Sequence, residues 1–183
     1  MKKVFLFLAE GFEEMEAVAV VDILRRGGVE VCTVAIGDQV QVKSAHDVTI
    51  MADRIWNEVK TEEVDGLIFP GGMPGAQNLG GYKPLLSMMQ KQYDAGRWVA
   101  AICAAPALVV GHLKPGRKLR LTCYPGFEKY FSTDFEVSAD GVVVDGKVIT
   151  GKGPGFAFEF GLTVLEHLCS AEKAKEVAQG MLL

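Results

Sequence analysis

The residue with most chemistry in this sequence is a cysteine. Cys103 lies in Ala100-Ala101-Ile102-Cys103-Ala104-Ala105-Pro106, where an apolar run gives way to a helical pattern. Pro106 fits a helix only within its first turn, where no intrahelical N–H is required. Small residues on both sides allow the tight strand-to-helix turn that lifts a nucleophile clear of the chain, as in the elbow of hydrolases. A thiol at a helix N-terminus meets the positive end of the dipole, which favours thiolate, so Cys103 is expected to be reactive. Most free cysteines are instead buried and structural. Cys32, in mid-strand, and Cys169, ending a helix, read that way, and position sets Cys103 apart.

Glu16 is the second candidate. Ala17, Val20, Val21 and Leu24 follow the spacing of a buried helical face, and Glu16 falls four residues before Val20, on or beside that face. Glu13 and Glu14 are explained as first-turn carboxylates favoured by the dipole. A carboxylate deeper in the helix is expected to be desolvated and its pKa raised, so that it could donate a hydrogen bond or shuttle a proton. The alternative is a boundary glutamate that snorkels to water.

Two glycine clusters flank these candidates. Phe69-Pro70-Gly71-Gly72-Met73-Pro74-Gly75 follows a strand, and the N–H groups of Gly72 and Ala104 could together form an oxyanion hole. A plain connection needing positive φ is the other reading. Gly151-Lys152-Gly153-Pro154-Gly155 lacks the dinucleotide fingerprint, because Phe156 takes the third glycine's place, and no Walker A sequence occurs. Nucleotide binding is disfavoured, and no cofactor is expected. His46, His112 and His167 pair with no nucleophile along the chain, and His167 suits a helix end. No G-x-S-x-G occurs, so serine hydrolysis has no support. Lys114 to Arg120 reads as a solvated basic patch.

The elements that must position these groups alternate between strand and helix. Strands are expected at Lys3–Leu8, Val29–Ala35, Val64–Phe69, Trp98–Ile102 and Leu119–Thr122, with a hairpin over Gly141–Thr150 turning at Asp145-Gly146. Helices are expected at Glu13–Arg26, Tyr82–Ala95, from Ala104, and at Phe156–Leu168 and Ala171–Gln179. Continuous apolar strands in such alternation mean an α/β fold, with a mainly parallel sheet covered on both faces. Working groups then gather beyond the carboxyl ends of the strands, here in the loops 10–16, 70–75, 103–106 and 151–155.

Composition narrows the class. The 183 residues carry 19 basic and 23 acidic side chains, a net −4 without a block of like charge, which disfavours a nucleic-acid partner. The length suits one domain over 1–183. Four widely spaced cysteines show no zinc-site spacing, so no metal is expected. The apolar run Val4–Ala9 is too short for a signal segment and is followed by acids, and no stretch approaches the length of a membrane span. A soluble cytoplasmic protein with reduced thiols is expected. Twenty-one glycines exceed average usage by some eight, and eight fall in Gly71–Gly81 and Gly151–Gly155, as if to allow tight loops.

Four motifs in order, Gly11 to Glu16, Leu67 to Leu79, Ala101 to Pro106 and Gly153 to Phe160, make the chain resemble the ThiJ/PfpI superfamily from about residue 2 to 181. Within it the resemblance is to the branch containing Parkinson disease protein 7. The resemblance implies a flavodoxin-like three-layer sandwich, a homodimer, a reactive cysteine matched by Cys103, and a protonated glutamate matched by Glu16. Gly72 and Ala104 match the backbone oxyanion donors. Members credited with glyoxalase activity often carry a histidine where Tyr124 stands; tyrosine donates hydrogen bonds but is a poor base at neutral pH. Ala104 stands where the protease-like branch has histidine, which argues against a peptidase. The expected function is a glutathione-independent glyoxalase or deglycase-like enzyme acting on small α-oxoaldehydes, with Tyr124 as an auxiliary. The competing expectation is a redox-sensing stress protein or chaperone whose Cys103 is oxidised to sulfinic acid.

Overall fold

Lys3–Leu8 runs KVFLFL with no polar alternation, and such a strand can be stable only with both faces covered. It forms β1 at the middle of the molecule, with Val4 through Phe7 fully buried. The structure, a computed structural model, describes all 183 residues. After β1 (Lys3–Leu8) the chain forms α1 (Glu14–Arg26), β2 (Glu30–Ala35), β3 (Gln41–Lys43), β4 (Thr49–Met51), β5 (Arg54–Ile55) and α2 (Trp56–Val59). Next come β6 (Gly66–Phe69), α3 (Gly75–Gly81), α4 (Lys83–Asp94), β7 (Trp98–Ile102), α5 (Ala105–Leu108), β8 (Leu119–Leu121) and β9 (Phe135–Val137). The chain closes with β10 (Val142–Asp145), β11 (Val148–Gly151), α6 (Ala157–Leu168) and α7 (Ala171–Gly180).

Seven strands build the main sheet in the order β10-β11-β7-β6-β1-β2-β5. Every neighbouring pair is parallel except β10 with β11, an antiparallel hairpin at one edge. Helices α1 and α6 pack against each other, with α7 behind α6, while α3, α4 and α5 pack among themselves and against β1, β6 and β7. This is the expected α/β sandwich with a mainly parallel sheet. One apolar cluster runs through it from Val4 to Val177. No helix is long and apolar enough to cross a membrane.

Several elements differ from expectation. Leu119–Leu121 does form a strand, but it pairs with β9 in a separate two-stranded sheet, and Thr122 lies outside it. The glycine-rich stretch Gly75–Gly81 is a helix, not a loop. Its glycines serve close approach: a Cβ on Gly75 would lie 2.5 Å from the Phe12 nitrogen, and one on Gly80 would lie 2.0 Å from the Leu108 carbonyl oxygen. Tertiary packing overrides helix propensity there. The β3–β4 hairpin, β5 and α2 carry too few residues to show a period. Cys169, expected to be buried, is exposed at the end of α6, whereas Cys32 is buried as expected; all four cysteines are free thiols. The basic patch is solvated but not unpartnered, since Arg117 pairs with Asp145 and Arg120 with Asp140.

Candidate active site

The carboxyl ends of β1, β6, β7 and β11 lie side by side, and the loops that leave them converge. Cys103 follows β7 directly. Its main chain is held on both sides: its N–H donates to the Gly151 carbonyl at 2.9 Å, and its carbonyl accepts from the Tyr124 N–H at 2.8 Å. With both groups fixed, the residue adopts φ +66°. A non-glycine residue in this region costs about 1–3 kcal/mol. That strain turns the chain at once into α5 and leaves the side chain in the pocket between the loops, only 8% exposed.

Glu16 reaches the same pocket from the second residue beyond the start of α1. It is fully buried, so the snorkelling alternative fails. Its Oε2 accepts a 2.7 Å hydrogen bond from the Gly71 N–H, while Oε1 is buried without a partner. The carboxyl lies close enough to the Cys103 thiol for a side-chain hydrogen bond. Burial first, and then the charge of Glu13, push Glu16 up to about 7, against the opposing pull of the Gly71 N–H and the Cys103 thiol. The expected raised pKa is therefore present, and its cause is desolvation.

Gly71 itself was not singled out by sequence reasoning. A Cβ here would lie 2.6 Å from the Cβ of Cys103, 2.9 Å from Glu16 Oε2 and 3.0 Å from the Cys103 sulfur. The only available signal was its place beside Gly72 after a strand. Gly72 has φ +85°, the backbone conformation that the alternative reading of this loop required. The N–H groups of Gly72 and Ala104 lie near enough to the Cys103 sulfur to pull its pKa down, and neither donates to a main-chain carbonyl. The two expected oxyanion donors thus both border the thiol.

The helix N-terminus expected to activate Cys103 offers it little, since α5 is four residues long and carries little dipole. Burial, followed by the Glu16 charge, pushes the thiol up to about 12, and the Gly72 and Ala104 N–H groups only partly offset this. In this state the thiol is neutral at pH 7.

Tyr124 is 45% exposed. With Pro125, Lys152, Gly153, Pro154, Gly155 and Phe156 it lines a shallow groove of about 250 Å³. Its peptide is tied to Cys103, and its ring packs on Gly153. His46, unpaired along the sequence, is paired in space: its Nδ1 is 3.0 Å from Glu14 Oε1. His167 stacks edge-on against Trp98 and holds the Thr163 carbonyl, a structural role.

The model of the DJ-1/PfpI family matches residues 2–167. Protein DJ-1 homolog B of Arabidopsis thaliana is 40% identical over 179 residues, 97% of this chain and 40% of that protein. The chain thus spans less than half the length of that relative. Glutathione-independent glyoxalase DJR-1.2 of Caenorhabditis elegans is 33% identical, covering 95% of this chain and 92% of the relative. Among solved structures, oxidized DJ-1 of Toxoplasma gondii superposes with a TM-score of 0.93 at 36% identity, covering 100% of this chain and 98% of that one.

Proposed function

The chain belongs to the DJ-1/PfpI family, and on that premise we propose that residues 1–183 form one catalytic domain, a glutathione-independent glyoxalase or deglycase-like enzyme acting on small α-oxoaldehydes or their protein adducts. The observation that carries the reading is the meeting of the Cys103 thiol, the Glu16 carboxyl and the Gly72 and Ala104 N–H groups in one buried pocket. A relative named as a glutathione-independent glyoxalase supports it.

A thiol that rests neutral needs a base as it reacts. Glu16, with one oxygen fixed and the other unpartnered, takes the Cys103 proton while sulfur adds to the aldehyde carbon. The developing oxyanion meets the Gly72 and Ala104 N–H groups and then takes that proton, giving a hemithioacetal. Glu16 next moves the proton from the former aldehyde carbon to the neighbouring carbon while the hydroxyl proton passes from the first oxygen to the second through an enediol, leaving a thioester of a 2-hydroxy acid. Water cleaves the C–S bond, the thiol regains a proton, and the acid leaves. Water is the only co-reactant, and no cofactor takes part. Tyr124, whose N–H is bonded to the Cys103 carbonyl, is the auxiliary donor of this proposal.

Lactate formation from methylglyoxal by the wild type, Cys103→Ser and Glu16→Gln tests this reading. Activity confined to the wild type supports it, and equal activity in all three defeats it. A homodimer belongs to the same proposal: Met15, Val18, Val48 and Met51 are exposed on α1 and the β3–β4 hairpin, an apolar face for a second copy. Light scattering at the eluting peak of a sizing column checks it.

A second reading, redox sensing through Cys103 sulfinic acid, is favoured by one observation: the Gly72 and Ala104 N–H groups border the sulfur and are not taken up by main-chain carbonyls, so they are free to hold sulfinate oxygens. Intact-mass spectrometry after mild peroxide tests it, and the absence of a two-oxygen adduct on Cys103 counts against it.

A further inference from the structure

Cys103 is gripped by two arms of chain that belong to different sheets. Gly151, whose carbonyl accepts its N–H, ends β11 of the main sheet. Tyr124, whose N–H donates to its carbonyl, follows β8, which pairs only with β9. No ladder joins β8 to β11. A side chain does so instead: the Thr122 N–H donates to Thr150 Oγ1 at 2.9 Å. Thr150 immediately precedes Gly151, and Thr122 lies two residues before Tyr124. The bonds therefore close a ring that runs from Cys103 through Gly151, Thr150, Thr122 and Tyr124 back to Cys103.

Thr150 and Thr122 are both fully buried, and their hydroxyls differ in use. Thr150 Oγ1 accepts the Thr122 N–H, whereas Thr122 Oγ1 is buried without a partner. An apolar residue of the same shape at position 150 would strand a buried N–H and free the arm that carries Tyr124. The consequence reaches the thiol through the main chain. Cys103 sits at φ +66°, a strained conformation that persists only while its surroundings over-determine it. With the Tyr124 arm loose, the Cys103 carbonyl loses its partner. The residue is then free to relax to negative φ, carrying its sulfur away from Glu16.

We propose that Thr150 is a positioning residue for Cys103: its hydroxyl, by holding the Thr122 N–H, locks the two arms together and keeps the strained cysteine aimed at Glu16. It acts through the main chain and takes no part in the bond-making steps. Burial alone does not single it out, because Thr122 is buried as deeply and its hydroxyl holds nothing. The hydrogen bond does. The effect on turnover rests on the glyoxalase reading above; the effect on the thiol does not, since it concerns Cys103 alone.

The test labels the full chain with iodoacetamide at pH 8 and follows Cys103 and Cys32 by peptide mapping in the wild type, Thr150→Val, Thr150→Ser and Thr122→Val. Cys32, buried in β2 to the same 8% exposure as Cys103, reports any global opening. In Thr150→Val, labelling of Cys103 should quicken at least about tenfold, because a thiol released from burial ionises more readily. Cys32 should keep its wild-type rate. Thr150→Ser retains the hydroxyl and should restore the wild-type rate at Cys103. Thr122→Val retains the donating N–H and should match the wild type. Lactate formation from methylglyoxal, measured on the same proteins, should show kcat lowered about tenfold in Thr150→Val with KM unchanged. Unchanged labelling of Cys103 in Thr150→Val overturns the proposal. So does equal quickening at Cys32, failure of serine to rescue, an equal effect from Thr122→Val, or an unchanged kcat where the wild type is active. Lactate from none of the proteins, wild type included, would defeat the glyoxalase reading, and the labelling rates would still decide this proposal.

Discussion

The Gly71 N–H donates to Glu16 Oε2 at 2.7 Å, which leaves Oε1 as the buried, unpartnered oxygen. A carboxyl held by one oxygen can give and take a proton at the other without rotating. The hydrogen bond therefore orients the acid, and the glycine that donates it is also the residue whose missing side chain makes room for Cys103.

Gly71→Ala is expected to cost about 1–3 kcal/mol of stability by overpacking. Its methyl would sit 2.6 Å from the Cys103 Cβ. Lactate formation should fall at least about tenfold, because displaced catalytic groups lose alignment. Thermal melting and steady-state kinetics on the same preparation check both. A variant with wild-type melting and turnover would show that the pocket yields to a methyl group.

Cys103 alkylation should follow a thiol pushed up to about 12 by burial and by the Glu16 charge. Its rate with iodoacetamide is expected to climb about tenfold per pH unit from 7 to 10 without a plateau, since only thiolate reacts. Exposed Cys169 should be labelled first. In Glu16→Gln the Cys103 profile should move to lower pH, because the charge that opposes thiolate is gone. Peptide mapping by mass spectrometry separates the two thiols, and a plateau for Cys103 below pH 9 would contradict the assignment.

Tyr124→His should raise turnover of methylglyoxal, because imidazole with a pKa near 6.5 exchanges protons at neutral pH and phenol does not. Tyr124→Phe should lower it by about tenfold if the hydroxyl assists. Identical kcat values for Tyr124, Phe and His proteins would remove the residue from the mechanism and leave it as a wall of the groove.

Asp145 gives a stability prediction at the far edge of the sheet. The Arg117 guanidinium hydrogen-bonds it, and this interaction, reinforced by the Arg120 N–H, holds its carboxyl below the usual range despite partial burial. A pKa lower in the folded than in the unfolded state stabilises above the unfolded value near 3.9, and that contribution is lost as pH falls through the folded one. Asp145→Asn should therefore destabilise by about 1 kcal/mol at pH 7 and flatten the acid limb of stability against pH. Urea melts from pH 7 down to pH 2 read this out; equal losses at both ends would place the effect elsewhere.

Continuous apolar runs made β1, β6 and β7 legible in the sequence, and the spacing of Ala17, Val20, Val21 and Leu24 placed Glu16 near the core. The turn at Cys103 was legible from small residues and Pro106. The state of its thiol was not, because a short α5 and the loop from Gly71 decide it, and neither length nor burial is written locally. The glycines of α3 misled for a related reason: they answer to the backbones of Phe12 and Leu108, distant in sequence. The meeting of His46 with Glu13 and Glu14 depends on a hairpin too short to carry a period.

The two main-chain hydrogen bonds of Cys103 reach Gly151 and Tyr124, both well downstream of it, while Glu16 and Gly71 come from well upstream. Contacts so distant along the chain close late, because each must first overcome the entropy of the intervening loop. A nascent or partly unfolded chain therefore has the cysteine but not its environment. There the thiol is an ordinary solvated one, more easily ionised than in the finished protein. Maturation quiets this residue before it equips it, and the vulnerable period for Cys103 is the interval before β11 docks.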